Sequence, residues 1–183
     1  ASVAHANARN ESMALVWLDA HPDLDTPESS PSGSFTGMVL RTLLGEGTPT
    51  LVPEKPLIPS RTILVGIRNV DDGESDYLVS SAVRVLEVQD AGAESIAEAL
   101  AGSGATSVYI HVDLDVLDPS EFDGVSDPMP FGLSLATLIE VIAAARAALP
   151  LAGAGIAGFA PSSPEAASDH LGSILRVLGA LTS

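Results

Sequence analysis

The chain has 183 residues, 46% of them hydrophobic, which is enough for a packed core and too apolar for a disordered segment. Eight basic residues stand against 24 acidic ones, a net charge of −16, so neither nucleic acid nor an anionic membrane is an expected partner. There is no cysteine, which removes disulfide frameworks, zinc ribbons and thiol nucleophiles.

Residues Ala1–Glu11 read as the tail of a helix without the strand expected before it. Apolar runs of strand length follow at Met13–Asp19, Thr62–Ile67, Ala82–Val88, Ser107–Asp113 and Ala154–Phe159. Between them, Gly37–Leu44, Glu74–Ser80, Ser95–Ala101, Leu135–Ala148 and Pro164–Leu181 place apolar residues at three-to-four spacing, which predicts helices. Ser134 and Ser163 stand where N-caps belong, with Pro164 at a first helical position. The alternation predicts an α/β domain spanning residues 1–183, an open, mostly parallel sheet with helices on both faces. Residues 147–160 form an apolar run broken by Pro150 and glycines, too short for the ~20 residues of a membrane span. No basic–apolar–small leader opens the chain, so a cytoplasmic location is expected.

Two connections, Thr26–Ser34 and Val116–Gly132, exceed the ~2–6 residues usual in α/β units. Each follows a strand end, where open α/β sheets place their sites. The acids gather there too. Asp19, Asp23, Asp25 and Glu28 enter the first loop, and Asp113, Asp115, Asp118, Glu121, Asp123 and Asp127 the second, ten of the 24 in all. Like charge crowded at the mouths of buried strands is costly unless a cation joins it. The spacing Asp19-Ala20-His21-Pro22-Asp23 lets two carboxylates and an imidazole converge by alternation, and Asp113-Leu114-Asp115 adds two more carboxylates. A carboxylate-rich set with one imidazole and no thiolate suits manganese better than zinc, and so many carboxylates suit a pair of ions.

Other readings fail on the letters. An EF-hand loop is broken by Pro27 and Leu117, and neither Asp-x-Asp continues into the x-Thr of a haloacid dehalogenase. The Gly-x-Gly-x-x-Gly of Gly153–Gly158 falls inside a predicted strand instead of opening a helix. A metallophosphatase lacks the basic residues that phosphate requires. His111 precedes Asp113 by two and lies either behind the ligands or satisfied in the core. His5 and His170 are expected at the surface, and Trp17 and Tyr109 in the core.

The segment Asp19-Ala20-His21-Pro22-Asp23 resembles the D-A-H-x-D signature of the arginase, agmatinase and formiminoglutamase (ureohydrolase) family. Asp113-Leu114-Asp115-Val116-Leu117-Asp118-Pro119 resembles its D-x-D-x-x-D-P signature, and Gly66–Asp71 resembles the segment between them. The resemblance covers nearly all of the chain but only the later part of a family member. It implies a three-layer α/β/α fold with two manganese ions, Asp19 and Asp113 bridging, Asp23 completing one shell, and His21 and Asp115 the other. It further implies that a bridging hydroxide, hydrogen-bonded by Asp23, hydrolyses a C–N bond of a linear guanidino or amidine compound. Asp25, Ser32, Asp71 and Glu74 would line the substrate side, holding a small cationic substrate, and family members are usually homo-oligomers.

Departures from the family pattern leave a second reading, a non-catalytic metal-binding or structural relative. Thr36 stands where a proton-shuttling His is usual, and Gly158 where a Glu would pair with the guanidinium. The family's Gly-Gly-Asp-His/Cys ligand segment is not found upstream of Asp19. Asp25 replaces a common Asn and would repel a substrate carboxylate, which disfavours arginine itself. Thr36→His with Gly158→Glu is the expected way to restore hydrolysis if the scaffold is otherwise competent.

Overall fold

The computed structural model describes residues 1–182. In chain order, α1 (Ser2–Arg9) precedes β1 (Met13–Leu18), then α2 (Val39–Leu43) and β2 (Thr62–Val65). Next come α3 (Asp72–Ser80), β3 (Arg84–Leu86), α4 (Ala93–Ser103) and β4 (Ser107–Asp113), then α5 (Leu135–Ala148), β5 (Leu151–Ala157) and α6 (Pro164–Thr182). The strands form one sheet in the order β3-β2-β1-β4-β5, and every pairing is parallel.

Side-chain alternation divides the core into two layers. Ala14, Val16 and Leu18 of β1, with Val108, Ile110 and Val112 of β4, pack beneath α4 and α5 and the buried end of α6. Met13, Leu15 and Trp17, with Tyr109, face the opposite way, against α1, α2 and the neighbouring Leu24 and Leu57. This is the expected three-layer α/β/α arrangement. Each fully buried Leu or Ile contributes about 1.5–3 kcal/mol relative to exposure.

The chain grows outward from β1 in two directions, through β2 and β3 on one side and β4 and β5 on the other. The sheet's switch point therefore lies between β1 and β4, whose register pairs Trp17 with His111. Their continuations, Asp19 and Asp113, emerge side by side at the carboxyl edge.

The elements also depart from the expected spans. The third strand shortens to Arg84–Leu86, and β5 begins earlier, at Leu151. The helix expected at Gly37–Leu44 is a 3-10 turn over Phe35–Met38 running into the short α2. β5 is not covered on both sides; its residues are half-buried or exposed, because it is an edge strand. Ser134 and Ser163 cap as expected, accepting from the amides of Thr137 and Ala166 at 3.0 and 3.1 Å. No helix among the described residues is long and apolar enough to cross a membrane.

Candidate metal centre

A cavity of about 680 Å3 opens at the switch point. Its walls carry Asp19, Asp23, Asp25, Asp71, Glu74, Asp113, Asp115 and Asp127, and no lysine or arginine. Asp19 is buried at the end of β1, where Trp17 Nε1 donates to its Oδ2 at 3.1 Å and the His21 amide to its Oδ1 at 2.7 Å. Asp115 accepts from the Ala20 amide at 2.9 Å, and its Oδ2 lies 2.9 Å from His21 Nδ1. The two signature segments thus clasp one another directly, although 94 residues separate His21 from Asp115.

Donor atoms of Asp19, His21 and Asp115 all lie within 4.8 Å of one another, and so do those of Asp19, His111 and Asp113. The two groups share Asp19. Donors held by one hard cation at ~2–2.5 Å fall within this spacing. Asp23 lines the same cavity but belongs to neither group. Its backbone is left-handed, with φ 54°, a conformation a non-glycine residue adopts at some cost.

The electrostatics describe a site that demands positive charge. Burial pushes the carboxyls of Asp19 to about 7, Asp23 to about 9 and Asp113 to about 6, with neighbouring carboxylates adding to each. Hydrogen bonds to Asp115 and Asp19 raise His21 to about 10. Asp115 stays low despite its burial, because His21 and the Ala20 amide stabilise its anion. Divalent cations satisfy the same carboxylates by displacing those protons, and the oxygen-rich donor set with imidazoles fits manganese-type ions.

The remaining acids divide by task. Asp25 is buried, accepts from Ser29 Oγ at 2.7 Å, and faces the Asp71 carboxyl. Asp71 and Glu74 form a capping box on α3, with Asp71 Oδ1 accepting from the Glu74 amide and Glu74 Oε2 from the Asp71 amide. Glu74 Oε1 also accepts from the Leu24 amide at 3.1 Å, so both its oxygens are occupied by backbone. Ser32 and Thr36 line the cavity from its exposed rim. Asp118, Glu121 and Asp123 do not enter it. They bond the Gly132 amide, the Leu135 amide and His170, respectively.

Three points correct or extend the sequence reading. His170 is not a surface residue; its Nε2 pairs with Asp123 at 3.0 Å and its ring packs on Phe122 at 4.5 Å. Gly158 has φ +81°, and a Cβ there would overlap the Asp113 carboxylate, so Gly158→Glu does not fit this backbone. Arg68 announces no role in the sequence, yet its guanidinium donates to six backbone carbonyls, Gly66, Asp115, Val116, Leu117, Met129 and Pro130. It binds the turn after Asp113 to the loop around Met129. Its place directly after β2 in Gly66-Ile67-Arg68, in a chain with so few basic residues, was the available signal.

A parallel α/β sheet bearing carboxylates and imidazoles in metal-ligand spacing at its switch point defines the class. Comparison with known proteins then gives the family. The sequence model of the Arginase family matches residues 1–176, and the chain belongs to that family. It is 34% identical over 134 residues to an arginase of Bacillus caldovelox, covering 68% of this chain and 45% of that protein. It is also 34% identical over 142 residues to an arginase of Entamoeba histolytica, covering 74% of this chain and 48% of that protein. The chain therefore spans about half the length of these relatives. Among solved structures, Entamoeba histolytica arginase in complex with L-ornithine superposes with a TM-score of 0.84 at 27% identity, covering 93% of this chain and 60% of that one. Native Bacillus caldovelox arginase gives a TM-score of 0.86 at 25% identity, covering 98% and 63%.

Proposed function

We propose that this chain carries the metal centre of a manganese-dependent hydrolase cutting a C–N bond in a small guanidino or amidine compound. The observation that carries this reading is the pair of donor groups sharing Asp19 on the floor of a cavity with acidic walls and no basic residue. Asp19 and Asp113 would bridge, with Asp23 on one side and His21 and Asp115 on the other. Divalent ions, when bound by these residues, would supply an acidified water as a nucleophile near neutral pH. Asp23 would accept a proton from the attacking water and return it to the leaving amine. The acidic walls draw a cationic substrate inward.

Away from the ligands, Asp25 and Asp71 face each other beside Ser32 and are suited to a substrate ammonium. Glu74 holds that corner through the α3 cap and adds negative potential. With Asp25 buried in the wall, a substrate carboxylate would meet like charge, which favours a decarboxylated guanidino-amine over arginine. The second, non-catalytic reading is favoured by Thr36, which cannot titrate near neutrality, and by Gly158, which brings no side chain to the cavity.

The test is thermal melting with excess manganese chloride, followed by assay of urea and amine release from guanidino compounds. At 100-fold over Kd, binding adds about 2.7 kcal/mol, a rise of roughly 5–10 °C for a chain this size. Asp113→Asn should abolish it. An unchanged wild-type melting curve overturns the metal centre, whereas a rise without turnover of any such compound leaves only the non-catalytic reading.

A further inference from the structure

We infer that His111 is itself a metal ligand, giving the second ion an imidazole alongside Asp19 and Asp113. The inference rests on the metal centre proposed above and extends it by one residue. The register of β1 and β4 pairs Trp17 with His111, and alternation puts both on the face that carries Asp19 and Asp113 to the cavity. The two rings lie flat on each other, with centroids 3.7 Å apart and planes inclined by 22°. The same indole donates from Nε1 to Asp19 Oδ2 at 3.1 Å. Trp17 is thus a platform that fixes a carboxylate and an imidazole against one another.

What the His111 ring nitrogens do is the second observation. His21 is bonded to Asp115 at 2.9 Å, and His170 is paired with Asp123 at 3.0 Å. No hydrogen bond to another described residue holds His111; apart from the stacking, burial and the Asp115 charge are what act on its ring. The ring is half-buried, so its nitrogens remain open to a ligand from the cavity side. One of its nitrogens lies within 4.8 Å of carboxylate oxygens from both Asp19 and Asp113. A cation between those three groups satisfies the ring and both acids together. The arrangement also gives each donor group one imidazole, His21 in one and His111 in the other, with Asp19 common to both.

The experiment is manganese titration of the full chain by calorimetry, with metal content of the dialysed protein and electron paramagnetic resonance of bound manganese. His111→Phe keeps an aromatic ring on Trp17 while removing the donor atoms; His111→Gln serves as the second variant, and circular dichroism checks folding of each. Wild type is expected to bind two equivalents and give an exchange-coupled pair spectrum. Both variants are expected to keep one equivalent, weaken the other by ~100-fold or more, and give the spectrum of an isolated ion. Trp17→Phe should keep two equivalents with weaker affinity, as befits a positioning residue. Two unperturbed equivalents in both folded variants overturn the role of His111. So does a wild type that binds one ion only, which leaves the Asp19, His21 and Asp115 group standing. A wild type that binds none overturns the metal centre as well.

Discussion

Thr36 and Gly158 both line the cavity, and the two positions respond differently to substitution. Thr36 is exposed at the rim, bonded through Oγ1 to Ser34 Oγ at 2.8 Å, and a larger side chain has room there. Thr36→His therefore places a titratable group over the site and, if the chain hydrolyses guanidino compounds, raises kcat by ~100-fold in a urea-release assay. No gain in a manganese-loaded variant speaks for the non-catalytic reading. Gly158 offers no such opening, because its left-handed backbone and the Asp113 carboxylate together exclude a side chain. At this scale the sequence was legible where chemistry is written in residue type. Asp19, His21, Asp113 and Asp115 do come together. It was not legible where the answer depends on direction. The position of His111 two residues before Asp113 allowed either a core or a site histidine, and only the cross-strand stacking on Trp17 decides which way its ring looks.

Among the elements, the loop from Leu114 to Gly132 has little regular structure beyond the 3-10 turn of Leu114–Val116, and side chains hold much of its shape. Arg68 reaches into it from the end of β2 and satisfies carbonyls on both arms. Asp118 closes it through the Ser120 hydroxyl and the Ser120 and Gly132 amides, which hold that carboxyl down at about 2. Gly66 permits the approach, since a Cβ at its φ of +86° would come within 2.7 Å of Val116 Cγ2. Arg68→Ala should cost about 2–3 kcal/mol by stranding several part-buried carbonyls, and should speed amide exchange across residues 114–132 before the sheet opens. Exchange that accelerates uniformly over the chain is the contrary result. Strands read well from the sequence because their apolar runs are nearly continuous. The capping box of Asp71 and Glu74 lies in plain view in the sequence, whereas the placing of both carboxylates on the cavity wall depends on where α3 packs. Arg68 stayed silent because a cation that bonds only carbonyls has no partner residue to announce it.

For the molecule as a whole, the cluster couples folding to protons and, through the proposed centre, to metal. The folded-state values of Asp19, Asp23 and Asp113, about 7, 9 and 6, lie above the ~3.9 of an unfolded aspartate. Their contribution to stability is present in full below about pH 4 and is lost as pH rises toward those values. His21, raised to about 10, also loses its contribution with rising pH, above its unfolded value near 6.5. Chelator-treated protein should therefore melt at progressively lower temperature from pH 6 to pH 9, while the gain from manganese widens over the same interval. A gain that does not vary with pH would show that these carboxyls are not the ones that release protons to the ion. The sequence conveyed this charge surplus as a count of 24 acids; which of them oppose one another became plain once β1 and β4 were adjacent.

Asp23 combines a backbone cost and an electrostatic cost at a single position. Its φ of 54° suits glycine, and its carboxyl sits among others that burial already penalises. A glycine there would relieve about 1 kcal/mol of conformational cost and a crowded acid together. If Asp23 handles the proton as proposed, selection for heat tolerance alone would reward the loss of that residue at the expense of turnover.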